Sequence, residues 1–449
     1  MERNDATAEF VGAELGDERL SKRLVKLATR AVRKPDASFP KALTEAELEG
    51  AYRFFGNPKV DPEGILGPHL RQTVNRIAEA EVVLALHDTT TLSFRKDGQR
   101  EGFGALTEKT QQLWTHATLA VKGDETRCPL GMVALSTEAS IRHDRWLDNV
   151  ERANAAVGSS TRLVHVMDRE ADDFALFAGL LDVKARFVVR LQHDRRVDSD
   201  GKQPIKITEA LARATVIAER EVVMNARGTD KGSKARRVHP ARKARPAKLS
   251  IAAAPIVLHA PGGRRDLPRT LELHAVRVWE PDPPPEEPDV EWLLLTSEPI
   301  DDVDAMLRVV DWYRARWTIE EYFKALKTGC SIEKRQLESY ASFTNAVAFF
   351  APIAWQLLLL RYRAHHEADS DGAASLPDGM LLVLRHIARR PLPQAPSARD
   401  VLLAIAALGG HLKRNGDPGW QTLGYGYDKL REAAEIWAIA AKVVRSDQS

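Results

Sequence analysis

Tyr313, Arg316, Glu320 and Lys327 place a phenol, two cations and a carboxylate in one short segment, Trp312-Tyr-Arg-Ala-Arg-Trp-Thr-Ile-Glu-Glu-Tyr-Phe-Lys-Ala-Leu-Lys327. On one continuous helix, at about 100° per residue, the four would fall within an arc of roughly 60°. Trp312, Ala315, Ile319, Tyr322, Phe323 and Leu326 collect on another side and predict the buried stripe that anchors the helix. A carboxylate flanked by cations suits a metal ligand set beside a phosphate clamp. Two more carboxylates follow apolar runs: Asp88 opens Asp-Thr-Thr-Thr-Leu-Ser93, and Asp168 opens Asp-Arg-Glu-Ala-Asp172. A lone Asp in such a place is usually a turn or cap residue. Two of them together with Glu320 supply three hard oxygen donors from separate elements, which suits two Mg²⁺ or Mn²⁺ ions. Two ions about 4 Å apart activate a nucleophilic oxygen on one side of a phosphodiester and stabilise the leaving oxygen on the other. The expected chemistry is in-line phosphoryl transfer on nucleic acid.

These residues need elements to hold them. Val82–His87, Leu113–Val121, Pro129–Leu135, Leu163–Met167 and Arg186–Leu191 are near-continuous apolar runs, with a helical stretch near Trp146–Ala156. They predict a mixed α/β sheet buried on both faces, with Asp88 and Asp168 at strand ends, where functional side chains gather in such sheets. From about Val197 to Pro299 helical periodicity is weak and short strands are expected, with Trp292–Ser297 returning to the core. That stretch holds a run from Arg227 to Lys248 with nine Lys or Arg against a single Asp230, and a Pro-rich acidic loop from Glu280 to Glu291. Amphipathic helices are expected over Gly12–Lys34 and Thr44–Phe55. The first carries Arg23, Lys26 and Arg30, cations able to dock on duplex phosphates or simply to face solvent. After Ser339 the chain is mostly helical, broken at Gly409-Gly410 and Pro418-Gly419.

At 449 residues the chain should divide into two to four domains. A net charge of +2, from 65 basic and 63 acidic residues, gives no global sign of a nucleic-acid partner, so any such signal must be local. Cys128 and Cys330 stand apart, without a CxxC or His-Cys cluster, which disfavours a zinc site or a disulfide framework and suits a reducing cytoplasm. No apolar signal-peptide core follows Met1. The apolar run Ala346–Leu360 is interrupted by Pro352 and Gln356 and is shorter than the ~20 residues of a span, so a buried core helix is expected rather than a membrane segment.

The segment from Tyr313 to Lys327 resembles the Tyr-x2-Arg-x3-Glu-x6-Lys signature of the IS-four family of bacterial DDE transposases. The likeness extends in order through Leu15-Gly-Asp17, Glu49-Gly-Ala-Tyr-Arg-Phe54, Asp88-Thr-Thr90, Asp168–Asp172, Arg186–Arg190 and Trp292–Pro299, covering nearly the whole chain. The resemblance implies an α/β fold: an RNase H-like catalytic core with a β-rich insertion, flanked by an N-terminal helical DNA-binding domain and a C-terminal helical domain. The expected divisions are 1–62 for DNA-end binding, 63–345 for catalysis with the insertion at about 197–299, and 346–449 for helical dimerisation, where Leu408-Gly-Gly410 and the region of Trp420 fit.

By the same resemblance Asp88, Asp168 and Glu320 bind the metals, and Tyr313 and Arg316 hold a phosphate near a DNA hairpin bend. Lys327 contacts the transferred-strand end, Arg190 adds a phosphate contact, Trp292 stacks on a flipped base, and Arg23, Lys26 and Arg30 meet the terminal repeat. The partners implied are terminal inverted repeats, target DNA and a second copy of the chain in the DNA complex. Two other readings stand beside cut-and-paste transposition: a catalytically inactive DNA-binding inhibitor or domesticated derivative, and a structure-specific nuclease.

Overall fold

A computed structural model describes residues 8–33, 37–95, 100–107, 110–159, 162–199, 202–214, 218–224, 244–285, 290–376, 379–412 and 418–446. The chain forms two compact units. The first comprises Met1–Val83, Asp88–Arg145 and Trp317–Ser449, and the second Leu84–His87 and Trp146–Arg316. The helices are α1 (Glu18–Arg33), α2 (Phe39–Ala42), α3 (Glu45–Phe55), α4 (Pro62–Ala78), α5 (Arg145–Val157), α6 (Phe174–Asp182), α7 (Ile207–Ala212), α8 (Val303–Ala315), α9 (Trp317–Lys324), α10 (Tyr340–His366), α11 (Met380–Ile387), α12 (Ala398–Leu408) and α13 (Trp420–Ser446). The strands are β1 (Val83–Arg95), β2 (Gly104–Thr107), β3 (Thr110–Lys122), β4 (Pro129–Glu138), β5 (Leu163–Met167), β6 (Arg186–Arg190), β7 (Arg196–Ser199), β8 (Lys202–Lys206), β9 (Ala218–Met224), β10 (Arg245–His259), β11 (Thr270–Trp279) and β12 (Glu291–Thr296).

In the first unit, α10 is the central pillar. It is the one described helix apolar and long enough to cross a membrane, yet 83% of its most apolar window is buried, as expected of a core helix. Its aromatics gather the N-terminal elements around it: Phe349 meets Phe10 at 5.4 Å and Phe55 at 5.5 Å, and Phe350 meets Phe39 at 6.1 Å between ring centroids. Trp355 donates from Nε1 to the Pro129 carbonyl at 3.2 Å. A buried polar knot ties the N-terminal turn to α4: Glu9 accepts from His69 Nδ1 and, at 2.9 Å, from Arg76, while His69 Nε2 accepts from the Met132 amide at 2.9 Å. Helix α3 begins where Glu47 reaches back to accept from the Thr44 amide at 3.2 Å, which is half of a capping box. At the C-terminal end α12 and α13 approach so closely that a Cβ on Gly426 would lie 1.8 Å from the Ile405 carbonyl oxygen, and one on Gly409 1.9 Å from that of Thr422. Only glycine permits this backbone contact. Strand β3 pairs with β1, with β2, and antiparallel with β4 from Trp114↔Glu138 to Val121↔Pro129.

In the second unit the strand order is β1-β5-β6-β12-β11-β10-β7-β8, with β9 on β10. The β5–β6 pair is parallel, with α6 lying between its strands in sequence, whereas the pairings from β6 through β12, β11, β10 and β7 to β8 are antiparallel. The β-rich stretch expected after Val197 is therefore present as β7–β12, with one short helix, α7, among the described residues. Its apolar face runs from Phe177 and Phe187 through Leu258, Leu273 and Leu295.

Two expectations about the site elements need correcting. First, β1 does not end at His87; it runs on through Asp88 to Arg95. The β-branched Thr89–Thr91 favour extended backbone, and Leu92 and Phe94 alternate into the core, so the strand has reason to continue. Second, the segment from Trp312 to Lys327 is not one helix. Helix α8 closes where the Arg316 amide turns back to the Tyr313 carbonyl at 3.1 Å, α9 starts at Trp317, and Ala325–Gly329 widens into a π-turn closed by Cys330 N–H on Ala325 O at 2.8 Å. A tight turn at Arg316, which keeps right-handed helical dihedrals, and a wide one at Ala325–Gly329 depart from the regular 100° step. The predicted buried stripe is present nonetheless: Trp312, Ala315, Ile319, Tyr322, Phe323 and Leu326 are each at most 6% exposed.

Candidate active site

Asp88 is half-buried in the middle of β1, where its Oδ1 accepts from the Thr89 amide at 2.9 Å. Around it the first unit assembles groups from three elements. Thr89 Oγ1 lies 2.8 Å from His116 Nδ1 on β3 and accepts from Arg145 Nε, at the start of α5, at 3.1 Å. Burial, and then the charge of Arg145, push the pKa of His116 down to about 3, so its ring is neutral. A neutral ring carries one N–H and one lone pair, so His116 Nδ1 and the Thr89 hydroxyl share a single hydrogen bond. Lys327, in the π-turn, donates from Nζ to the Thr91 carbonyl at 2.7 Å. Its pKa is lowered by burial, with Glu333 and Asp88 pulling the other way. The structure therefore brings Asp88 and Lys327 within electrostatic reach of each other. Glu320 is half-buried in the first turn of α9. Its neighbour Glu321 accepts from Trp420 Nε1 at 3.0 Å and pairs with Arg361 at 3.1 Å, a packing role.

Asp168, Arg190, Trp292, Tyr313 and Arg316 belong to the second unit. Asp168 follows the last residue of β5, as expected, and caps a short 3₁₀ turn by accepting from the Glu170 amide at 2.9 Å. Asp172, at the other end of that motif, accepts from the Gln192 and His193 amides and from Arg195 Nε, all at 2.7 Å, and so is a structural carboxylate. Beneath these motifs His165 Nε2 meets Asn154 Oδ1 at 3.0 Å and His165 Nδ1 meets His87 Nε2 at 2.8 Å; all three side chains are buried.

Register places Arg190 opposite Leu294, on the same face of the sheet as Trp292, and the Trp292 and Tyr313 rings meet edge to face at 5.5 Å. Trp292 is half-exposed, whereas Tyr313 is only 7% exposed, a departure from the accessible face expected for it; contact with Trp292 explains the burial. Arg190 also donates to the Glu291 carbonyl at 3.1 Å.

The N-terminal cations are not equivalent. Arg23 is exposed and lies against Gly50, where a Cβ would sit 1.8 Å from its NH1 nitrogen. Lys26 and Arg30 share Glu47, at 3.3 and 3.2 Å. Burial raises the Glu47 pKa, but the Thr44 amide, Lys26 and Arg30 outweigh that and bring it to about 2. Most of the basic Arg227–Lys248 run lies outside the described residues; of its described members, Arg245 pairs with buried Glu280 and Lys248 with Glu219 at 2.7 Å.

Among the described residues no three His, Cys, Asp or Glu side chains are grouped so as to hold a metal ion. Sequence reading missed Thr89 as a relay, His116 and Arg145, which come together only through folding. A transposase DNA-binding model matches residues 3–60. A transposase DDE-domain model matches residues 83–351, more than half of the 449. These matches make the protein a DNA transposase whose partner is DNA, with a catalytic domain of a type that generally uses divalent metal ions. The chain belongs to the DDE transposases.

Proposed function

We propose that this chain is a cut-and-paste transposase of the IS-four kind, active in the cytoplasm as a homodimer on paired transposon ends. The carrying observation is a matched DDE domain that follows a matched DNA-binding domain, with Lys327 within electrostatic reach of Asp88; the sequence motifs around Asp88, Asp168 and Glu320 supply its three carboxylates. The donor set is all carboxylate oxygen, the chemistry that Mg²⁺ or Mn²⁺ takes, and these three residues would hold two such ions. Bound there, the ions supply charge for activating the attacking oxygen and stabilising the leaving one.

In this reading water attacks the phosphodiester at the transposon end and frees a 3′-OH. That hydroxyl attacks the opposite strand to close a hairpin, water reopens it, and the 3′-OH then attacks target DNA. Lys327 would neutralise the strand end, Arg316 and Arg190 would hold flanking phosphates, and Trp292 would take a flipped base on its ring face, worth about 1–3 kcal/mol. Tyr313 would act by orienting Trp292, since the two rings already touch. Residues 1–62 would bind the end, 63–345 would carry the chemistry and 346–449 would pair the subunits.

The test is cleavage of linear DNA bearing the element's terminal repeats, with and without Mg²⁺, on a denaturing gel. Wild type should give a hairpin-ended product, and Asp88→Ala, Asp168→Ala and Glu320→Ala should bind the end yet give none. Cleavage by all three variants would overturn the assignment, and binding without cleavage by wild type would mark an inactive regulator.

A further inference from the structure

We propose that Arg335 is a positioning residue: a buried cation that fastens the N-terminal module to the turn carrying Lys327 and so holds that lysine in place for the reaction. This rests on the reading of Lys327 as the group that neutralises the strand end. Arg335 is 2% exposed. Its NH1 nitrogen donates to the Ala37 carbonyl, and NH2 donates to the Cys330 carbonyl at 2.5 Å. Its guanidinium carbon lies 4.2 Å from the centre of the Phe350 ring and 5.2 Å from that of Phe39. Ala37 and Phe39 fall within the residues matched by the DNA-binding model, whereas Cys330 and Arg335 fall within the DDE match. All of them lie in the first compact unit. One side chain thus joins the two matched segments, through bonds that end on main-chain carbonyls.

The carbonyl held on the catalytic side belongs to the turn that presents Lys327. The Cys330 amide closes the π-turn on Ala325 O at 2.8 Å. The next residue, Ser331, is held at φ 47° and ψ 42°, a left-handed conformation that a residue with a Cβ keeps only where its surroundings fix it. On its other side the same segment is tied to β1: Lys327 Nζ donates to Thr91 O at 2.7 Å, and Glu333 accepts from the Ser93 amide at 2.8 Å. Lys327 therefore stands between two anchors, one on the strand of Asp88 and one on the N-terminal module. Burying a charged group is costly, and well-packed apolar side chains in its place are often no less stable. What an apolar side chain cannot do is fix two carbonyls from distant parts of the chain at set positions, which the planar fork of arginine does. A brace of that kind makes the placement of Lys327 depend on a docked N-terminal module.

The experiment is single-turnover cleavage of end DNA by wild type, Arg335→Lys, Lys327→Ala and the double variant, with end-DNA affinity, thermal unfolding and amide exchange measured in parallel. Lysine keeps the charge between the rings but loses the fork. Since a misplacement of about 1 Å can cost about 100-fold in rate, Arg335→Lys should cut about 10- to 100-fold more slowly, with affinity changed less than about threefold. The Cys330 amide should exchange faster while the β3–β4 amides keep their protection. In the Lys327→Ala background Arg335→Lys should cost less than about twofold, because it acts through a group already gone. Phe39→Leu, which removes a ring from the module side, should show the same dependence on Lys327, and it decides the matter where Arg335→Lys fails to fold. A near-wild-type rate for the folded variant, or an equal loss with and without Lys327, would overturn the inference. Cleavage at the wild-type rate by Lys327→Ala, or none by wild type, would instead refute the parent reading.

Discussion

Replacing His116 by asparagine tests the neutral ring at the base of the Thr89 relay. The asparagine amide occupies roughly the place of Nδ1 and can donate or accept, so a hydrogen bond with Thr89 is kept while the titrating group is lost. In the folded chain burial and Arg145 hold the His116 pKa at about 3, against an ordinary 6.5. At about pH 5.5 the unfolded chain therefore binds ~0.9 more protons at this residue than the folded chain, and stability falls as pH falls through 6.5. Integrated from about pH 7.5 to about pH 5.5, the loss is ~1.4 kcal/mol. The result does not depend on the exact folded value, since any pKa well below 5.5 gives the same integral. Urea unfolding of both proteins at both pH values is the assay. Wild type should lose about 1.4 kcal/mol more than His116→Asn over the interval, and calorimetry in two buffers should show the missing proton uptake. Parallel pH dependence in the two proteins would mean that the ring titrates normally in the fold and would refute the reasoning.

Three further outcomes follow from packing. Glu9→Gln leaves Arg76 and His69 facing a neutral amide in a buried site, and should cost about 3 kcal/mol in urea unfolding; a loss below about 1 kcal/mol would show that the knot is not a stabilising unit. Gly426→Val drives a side chain into the Ile405 carbonyl and should speed amide exchange across α12 and α13 while leaving the β3–β4 amides protected; unchanged exchange would count against the close crossing. Gly50→Ala meets only the flexible end of Arg23, so the unfolding midpoint should hold while end-DNA affinity drops about fivefold, an energy on the order of 1 kcal/mol. In an Arg23→Ala background the same change should do nothing, and an undiminished effect there would separate Gly50 from Arg23.

Much of the fold was legible because it rests on local pattern. The apolar runs at Leu163–Met167 and Arg186–Arg190 became β5 and β6, and the stripe from Trp312 to Leu326 is buried even though its helix is interrupted. The break at Arg316 was not legible, since no glycine or proline announces it, whereas the wide turn does end on a glycine, Gly329. Asp88 was found as a residue but misplaced in its strand, because an aspartate after an apolar run usually ends it, whereas here pairing with β3 carries the strand onward. His116 and Arg145 gave no signal at all. A lone histidine in a strand and an arginine ahead of a helix are commonplace, and only the folded chain joins them at Thr89.

The pairing of Lys26 and Arg30 with Glu47 has a consequence for how the N-terminal helix meets a polyanion. An unpaired surface cation gains affinity when it lets DNA shed condensed counterions, with log K falling by roughly 0.9 per decade of salt for each phosphate neutralised. Here two cations already own an internal anion held by the Thr44 amide. A phosphate arriving at this face must compete with Glu47, so α1 should contribute nearer one ion's worth of salt dependence there than two. The helix is buffered against non-specific duplex by a carboxylate of its own, and Arg23, seated on Gly50 away from that exchange, is left as its more insistent contact.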